Sequence, residues 1–211
     1  MPNKLWEWDS ARKKYVYVES RRALSRRREA ALRHEFSLSQ RIWAEDAAAQ
    51  LKNGNWTVQK WEREARERIK LIHLAEYMFG HGGRQTMTQA DFGRVGRMIR
   101  DQYDYLHRFA GVVAGGTMSE AQIEDRLTKY FEAGTLSFER GRLAAYTALL
   151  LPCLPADGGT ECLMRCRCRW QINERKESYM CFWRRMPAES CEGCKSRETR
   201  YAPYTQRKSI I

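Results

Sequence analysis

Two short stretches, "ECLMRCRCRW" (161–170) and "ESCEGCK" (189–195), place five cysteines close together near the end of this 211-residue chain. Three arrangements produce such clusters: a metal site, a set of disulfide bridges, or burial of cysteine as a small apolar side chain. The choice among them decides how residues 152–211 fold and which kinds of function are open to the protein.

The spacing of the cysteines favours a metal site. A structural zinc ion takes four thiolates at about 2.3 Å, and the fold usually brings them together as two close pairs. Cys191 and Cys194 form one C-x₂-C pair. Cys166 and Cys168 would point to the same face of a strand, with Cys162 competing for the fourth position. We therefore predict about one zinc ion per chain, bound by four of these five cysteines.

The other two explanations fit the sequence less well. The chain has seven cysteines, an odd number for disulfides, and its first residues lack the apolar region of a secretory signal. A reducing compartment is therefore expected, and burial as small apolar side chains is predicted for Cys153 and Cys181. A catalytic zinc usually recruits histidine or a carboxylate, and no histidine follows His107, so the predicted zinc is structural.

Composition and charge indicate a folded, basic chain. Hydrophobic residues make up 43% and aromatic residues 11%, and no apolar run reaches the roughly 18 residues of a membrane span. The net charge of +12 lies at the two ends, because residues 35–160 hold as many acidic as basic side chains. Basic ends suit nucleic acid or an acidic protein surface.

The middle of the chain, residues 20–151, has helical patterns. A helix-rich segment runs from Ser20 to about Asn53, with a break expected near "FSLSQ". Thr57 is the predicted cap of a helix that reaches about Phe79, where "GHGG" stops it. A third helix is expected over 89–114, and Ser119 opens a fourth with a capping-box pattern.

Both ends of the chain are predicted to form small β structures. "WEWDSARKKYVYVES" alternates around a turn and indicates a hairpin arm over residues 1–19. "CRCRWQI" and "SYMCFW" indicate two strands joined by "NERKE" in a module over residues 152–211. The predicted fold class is mainly α: a helical bundle with a short N-terminal β-hairpin and a small C-terminal β-hairpin/zinc module.

Two further patterns in the helical middle carry expectations. Gly134 and Gly141 interrupt a helical stretch, which indicates a break or a close approach of two helices. His73 and Glu76 lie one helical turn apart and are expected to form a surface pair. No Walker loop, dinucleotide-binding glycine motif or HExxH sequence occurs, so we expect binding rather than catalysis.

Arginines at the two basic ends are the predicted partner-binding residues. Those of the C-terminal end alternate with the cysteines, which would place them on the opposite face of a strand, suited to packaged DNA or an acidic groove. The predicted residues are Arg26, Arg27, Arg28, Arg165, Arg167, Arg169, Arg184 and Arg185.

The order of four segments resembles a known group of proteins. They are "WEWDSARKKYVY", "RMIRDQYDYLHRFAGVVAGGTMSEAQIEDRLTKYF", "LPADGGTECLMRCRCRW" and "CFWRRMPAESCEGCKSRETRYAPY". The chain resembles uncharacterised phage and prophage proteins related to the Mu-type minor head (head morphogenesis) group, over most of its length and most specifically over 152–204.

This resemblance implies a component of a tailed-phage virion without established catalysis. The expected partners are head, portal or connector subunits in a symmetric, multi-copy assembly, with packaged DNA as a further contact. The expected locations are the virion and, during assembly, the host cytoplasm, with no membrane association. The alternative is a zinc-containing nucleic-acid-binding regulatory or packaging protein, whose DNA binding would weaken steeply with salt.

Overall fold

The fold is mainly α-helical, with an antiparallel hairpin at the N-terminal end and a small antiparallel sheet at the C-terminal end, as predicted. The computed structural model describes residues 6–12, 14–146, 148–185 and 190–208. Residues 1–5 of the predicted arm and 209–211 of the predicted tail lie outside the described residues.

The elements follow one another along the chain with connections that are mostly short, except between Ala144 and Leu163. The helices are α1 (Arg26–Lys52), α2 (Val58–His81), α3 (Gln89–Ala114), α4 (Glu120–Glu132), α5 (Gly134–Ala144) and α6 (Glu192–Arg200). The strands are β1 (Trp6–Asp9), β2 (Lys14–Tyr17), β3 (Arg169–Glu174), β4 (Ser178–Arg184) and β5 (Tyr204–Arg207). Single 3₁₀ turns cover Arg84–Thr86 and Leu163–Arg165.

The predicted helix caps are confirmed. The hydroxyl of Thr57 accepts the backbone N–H of Lys60 at 3.2 Å at the start of α2. Ser119 and Gln122 form a reciprocal capping box at the start of α4, with bonds of 3.3 and 2.8 Å. Gly82 ends α2 at a φ of 101°, a left-handed conformation that glycine adopts without steric cost.

The break expected near "FSLSQ" (36–40) is wrong. α1 is one continuous helix of 27 residues, and its N-cap is Ser25, whose hydroxyl accepts the N–H of Arg28 at 3.2 Å. The hydroxyl of Ser39 donates to the carbonyl of Phe36 at 2.7 Å. A serine that bonds back to the preceding turn satisfies its hydroxyl inside a helix, so it does not have to cap a new one.

The core of the helical body lies between α1, α2, α3 and α4, with α2 in contact with every other long helix of the body. An apolar stripe on α2, formed by Trp61, Ala65, Ile69 and Ile72 at helical spacing, faces this core. Each large apolar side chain buried there contributes about 1.5–3 kcal/mol relative to exposure. The fully buried members include Trp61, Ile69, Leu106, Ile123 and Leu127.

Helices α2 and α5 cross in backbone contact. A Cβ added at Gly141 would lie 3.0 Å from the carbonyl carbon of Tyr77, with the carbonyl oxygen closer still. From the other side, a Cβ at Gly80 would lie 2.9 Å from the backbone N of Arg142. The predicted close helix approach is therefore confirmed at Gly141. The predicted break is confirmed at Gly134, the first residue of α5.

The N-terminal hairpin packs on the end of α2. β1 and β2 pair with Trp6 opposite Tyr17 and Trp8 opposite Tyr15. The ring of Tyr15 stacks on Phe79 at 4.9 Å, and its hydroxyl donates to the Phe79 carbonyl at 3.0 Å. A two-stranded hairpin is marginal alone, and this docking supplies the apolar contact that it lacks.

The C-terminal module is a three-stranded antiparallel sheet in the order β3-β4-β5, with α6 against β4. The predicted β3-β4 hairpin is confirmed, and it buries the indoles of Trp170 and Trp183 in edge-to-face contact at 5.4 Å. β5 and α6 are additions that the sequence patterns did not predict. The strand predicted from "CRCRWQI" starts only at Arg169.

The module is anchored on the helical body. Arg142 of α5 donates to the carbonyl of Trp170 at 2.8 Å, and Arg165 pairs with Glu132 of α4 at 2.9 Å. The side chain of Leu149 lies in the apolar core of the module. None of the described helices combines the length and the apolar character of a membrane span.

Candidate metal centre

The five predicted cysteines meet at one place in the C-terminal module. Cys162 and Cys166 flank the 3₁₀ turn Leu163–Arg165, and Cys168 follows in the extended segment before β3. Cys191 is the N-cap of α6, and Cys194 lies in its first turn. Two segments separated by more than twenty residues therefore place their sulfurs side by side.

The distances between the sulfurs match those of a thiolate metal site. Cys162 Sγ lies 3.7 Å from Cys191 Sγ and 3.8 Å from Cys194 Sγ, and Cys166 Sγ lies 3.7 Å from Cys194 Sγ. A tetrahedral ion with metal–sulfur bonds of 2.3 Å separates its sulfurs by about 3.8 Å. All seven cysteines are free thiols, so disulfides do not account for the cluster.

The sulfurs form two triangles that share one corner. Cys162, Cys191 and Cys194 lie within 4.8 Å of one another, and so do Cys166, Cys168 and Cys194. Within the ranges that the structure describes, no four of the five sulfurs meet this limit together. Cys194 is therefore the centre of the arrangement.

The surroundings of the cluster favour the protonated form of two of its thiols, Cys166 and Cys194, unless a cation binds. Cys166, Cys168 and Cys194 are buried beside the indoles of Trp170 and Trp183. A hydrogen bond with Cys168, together with burial, raises the pKa of Cys166, and burial raises the pKa of Cys194. A bound metal ion reverses this preference, because it coordinates the thiolate and releases the proton.

Two polar side chains, those of Glu161 and Thr160, lie at the edge of the cluster. The carboxylate of Glu161 accepts the backbone N–H of Gly193 at 3.1 Å and a hydrogen bond from Cys191, which lower the pKa of Glu161. The hydroxyl of Thr160 lies 3.2 Å from the sulfur of Cys162. The donors available to an ion are thus five sulfurs with one carboxylate beside them, a set typical of zinc and other soft ions.

The two remaining cysteines lie outside both triangles. Cys181 is fully buried on β4 among the apolar side chains of the module, as predicted. Cys153 is half-buried, and burial raises the pKa of its thiol. Both behave as small apolar side chains of the fold.

The prediction that Cys166 and Cys168 lie in a strand is wrong, but the prediction that their side chains point to the same face is confirmed. β3 begins at Arg169, which pairs with Arg184 at the end of β4, the last pair of this ladder among the described residues. Arg167 is nevertheless exposed between two buried cysteines. The alternation of buried and exposed side chains therefore continues on the N-terminal side of β3.

Several of the arginines predicted to bind partners bind acidic or polar groups of this chain. Arg165 pairs with Glu132 at 2.9 Å, Arg185 with Glu198, and Arg184 donates to Gln171 at 2.9 Å. These bonds fix the direction in which each guanidinium points.

The other predicted arginines are at the surface. Arg167 and Arg169 are exposed beside the cysteine cluster. Arg27 and Arg28 are exposed in the first turn of α1, while the side chain of Arg26 lies outside the described residues. Binding of nucleic acid or partner proteins through any of these arginines stays a prediction.

The expected surface pair of His73 and Glu76 is wrong, because both side chains are buried. His73 Nδ1 lies 2.6 Å from the hydroxyl of Ser137, and Glu76 pairs with Arg33 at 3.0 Å. His73 follows Ile69 by four residues and so continues the apolar stripe of α2, a signal that predicts burial. His73 is 1% exposed and Ser137 0%, so this histidine–serine pair is buried in the helical body.

Comparisons of the chain with protein-family models, with curated proteins and with solved structures found no match. The chemistry of the cysteine cluster and the segment-by-segment resemblance are therefore the two grounds on which a function is proposed.

Proposed function

We propose that this protein is a structural subunit of a tailed-phage particle, a minor head or connector-associated protein that acts by binding other subunits. Its C-terminal module is held together by structural zinc. The observation that carries the zinc in this proposal is the meeting of five cysteine sulfurs, 3.7–3.8 Å apart along three measured edges, between residues 162–168 and 191–194.

A structural role for the metal follows from the donors and their burial. Sulfur donors enclosed by the fold leave little room for a substrate, whereas catalytic zinc sites keep an open position and recruit histidine. Within the part of the chain that the structure describes, the segment over 162–168 pairs with no strand, and α6 is a short polar helix of nine residues. Metal binding would supply the folding free energy that these two segments lack on their own.

Action by binding is supported by apolar side chains on the outside of the helical body. Leu38 and Ile42 lie one turn apart on the same side of α1, and each is at least half exposed. Tyr105 and Val112 are equally exposed on α3. Such side chains gain free energy when a neighbouring subunit covers them.

The phage assignment rests on the resemblance of four segments to the Mu-type minor head group. Its test is quantitative mass spectrometry of purified virions produced by the strain that carries the gene. We expect this chain in a fixed, multi-copy ratio to the major capsid protein. Abundant protein in the lysate with none in the particles would contradict a virion role.

A further inference from the structure

The two sulfur triangles differ from what a single tetrahedral ion requires. One ion bound by four thiolates has six sulfur–sulfur separations of about 3.8 Å, all equal. Here each of the three short separations involves Cys162 or Cys194. Among the described residues, no four of the sulfurs all lie within 4.8 Å of one another. For a single ion to bind four thiolates, a sulfur of one triangle would have to move towards the other triangle.

Two ions need no such rearrangement, because each triangle already offers three sulfur donors. We propose that the cluster binds two zinc ions that share the thiolate of Cys194. Cys162 and Cys191 complete one site, and Cys166 and Cys168 complete the other. This inference deepens the proposed structural zinc and rests on it.

The fourth ligand of the first ion would come from the edge of its triangle and would have to turn inward, because no carboxylate oxygen of the described residues lies within 4.8 Å of all three sulfurs. The carboxylate of Glu161 already hydrogen-bonds Cys191 and the N–H of Gly193, which holds it at the rim of this triangle. Carboxylate oxygen is an accepted zinc donor. Around Cys166 and Cys168 the described residues offer no corresponding carboxylate or histidine, so a water molecule completes the second site, and the burial of its three cysteines closes this position to a substrate.

Charge also favours two ions in this position. Five thiolates and the Glu161 carboxylate with two divalent ions carry a net charge of about −2, whereas four thiolates and the same carboxylate with one ion carry about −3 and leave a fifth buried thiol. Cys194, the proposed bridge, is 0% exposed. Burial of the smaller net charge costs less, and the N-terminal end of α6 adds a favourable dipole.

The experiment counts ions on the purified full-length chain, so its result does not depend on whether the protein enters a virion. Native mass spectrometry after titration with zinc should show two ions per chain. The protein loaded with ¹¹³Cd should give two resonances with scalar coupling between them, transmitted through the shared sulfur. One ion, or two ions without coupling, would overturn the shared site. No ion at all would also overturn the proposed structural zinc.

Matched variants locate the second ion. Cys168→Ser removes a donor from one triangle only, and we expect the ion count to fall from two to one. Cys153→Ser lies outside both triangles and should keep two ions. A Cys168→Ser protein that keeps two ions, or loses both while its helical signal is retained, would contradict two sites joined at Cys194.

Discussion

The crossing of α2 and α5 gives a prediction whose size follows from the geometry. In Gly141→Ala the new Cβ would stand 3.0 Å from the carbonyl carbon of Tyr77 and 3.1 Å from its Cα, closer again to the oxygen. Carbon atoms pack at about 3.5–4.0 Å, so the helices must separate by roughly 0.5–1 Å. The new Cβ is fixed to its backbone and the atoms that it meets are backbone, so no change of side-chain rotamer relieves the clash.

The expected cost is therefore in the upper part of the overpacking range of about 1–3 kcal/mol, less about 1 kcal/mol gained in helix propensity. A net loss of about 2 kcal/mol lowers Tm by roughly 4–8 °C in a chain of this size. The assay is thermal unfolding followed by circular dichroism at 222 nm.

The matched control is the same substitution in α3, Gly96→Ala. Nothing lies within 4 Å of a Cβ at this exposed position, so the variant should be more stable by about 1 kcal/mol. Opposite signs for the two variants are the expected result. A Gly141→Ala protein as stable as the wild type would refute the close crossing of α2 and α5.

Three further predictions concern pH, the module and DNA. Burial lowers the pKa of His73 to about 4, with the charge of Arg140 adding to it. The folded state thus favours the neutral ring, and about 3 kcal/mol of stability present above pH 6.5 is lost as the pH falls towards 4. The free energy of unfolding in urea should fall less between pH 7 and pH 5 for His73→Gln than for the wild type or for His34→Gln, whose side chain is exposed. Equal falls in all three proteins would contradict a buried, neutral His73. Cys194→Ser should expose the module to proteolysis while most of the signal at 222 nm remains, because the helical body has its own core; collapse of that signal would argue against this independence. Fluorescence anisotropy with duplex DNA should show weak binding even at low salt, and tight binding with a steep salt dependence would favour the packaging alternative.

The boundaries of α2, α3 and α4 were predictable because local signals set them. Thr57 and Ser119 cap their helices through side chains a few residues away, and Gly82 ends α2 by its own conformation. Such interactions are contained in a short window of sequence. The continuity of α1 was not predictable in this way, since it depends on alanines such as Ala47 packing in the core of the body.

The elements that the sequence did not reveal are held by contacts distant along the chain. α6 has one buried side chain, Cys194, and therefore shows no apolar periodicity. β5 has four residues, and it forms because β4 offers a free edge for Tyr204–Arg207. The spacing of the cysteines identified which residues meet. It could not give the sharing of Cys194, which depends on how α6 packs against residues 162–168.

We propose that the cysteine cluster is a thiolate metal site that holds the C-terminal module together. Its most direct test is X-ray absorption at the zinc edge, on protein purified without chelator. We expect stoichiometric zinc with a first shell dominated by sulfur at about 2.3 Å. Protein without zinc, or zinc with a shell of nitrogen and oxygen alone at about 2.0–2.1 Å, would contradict the account.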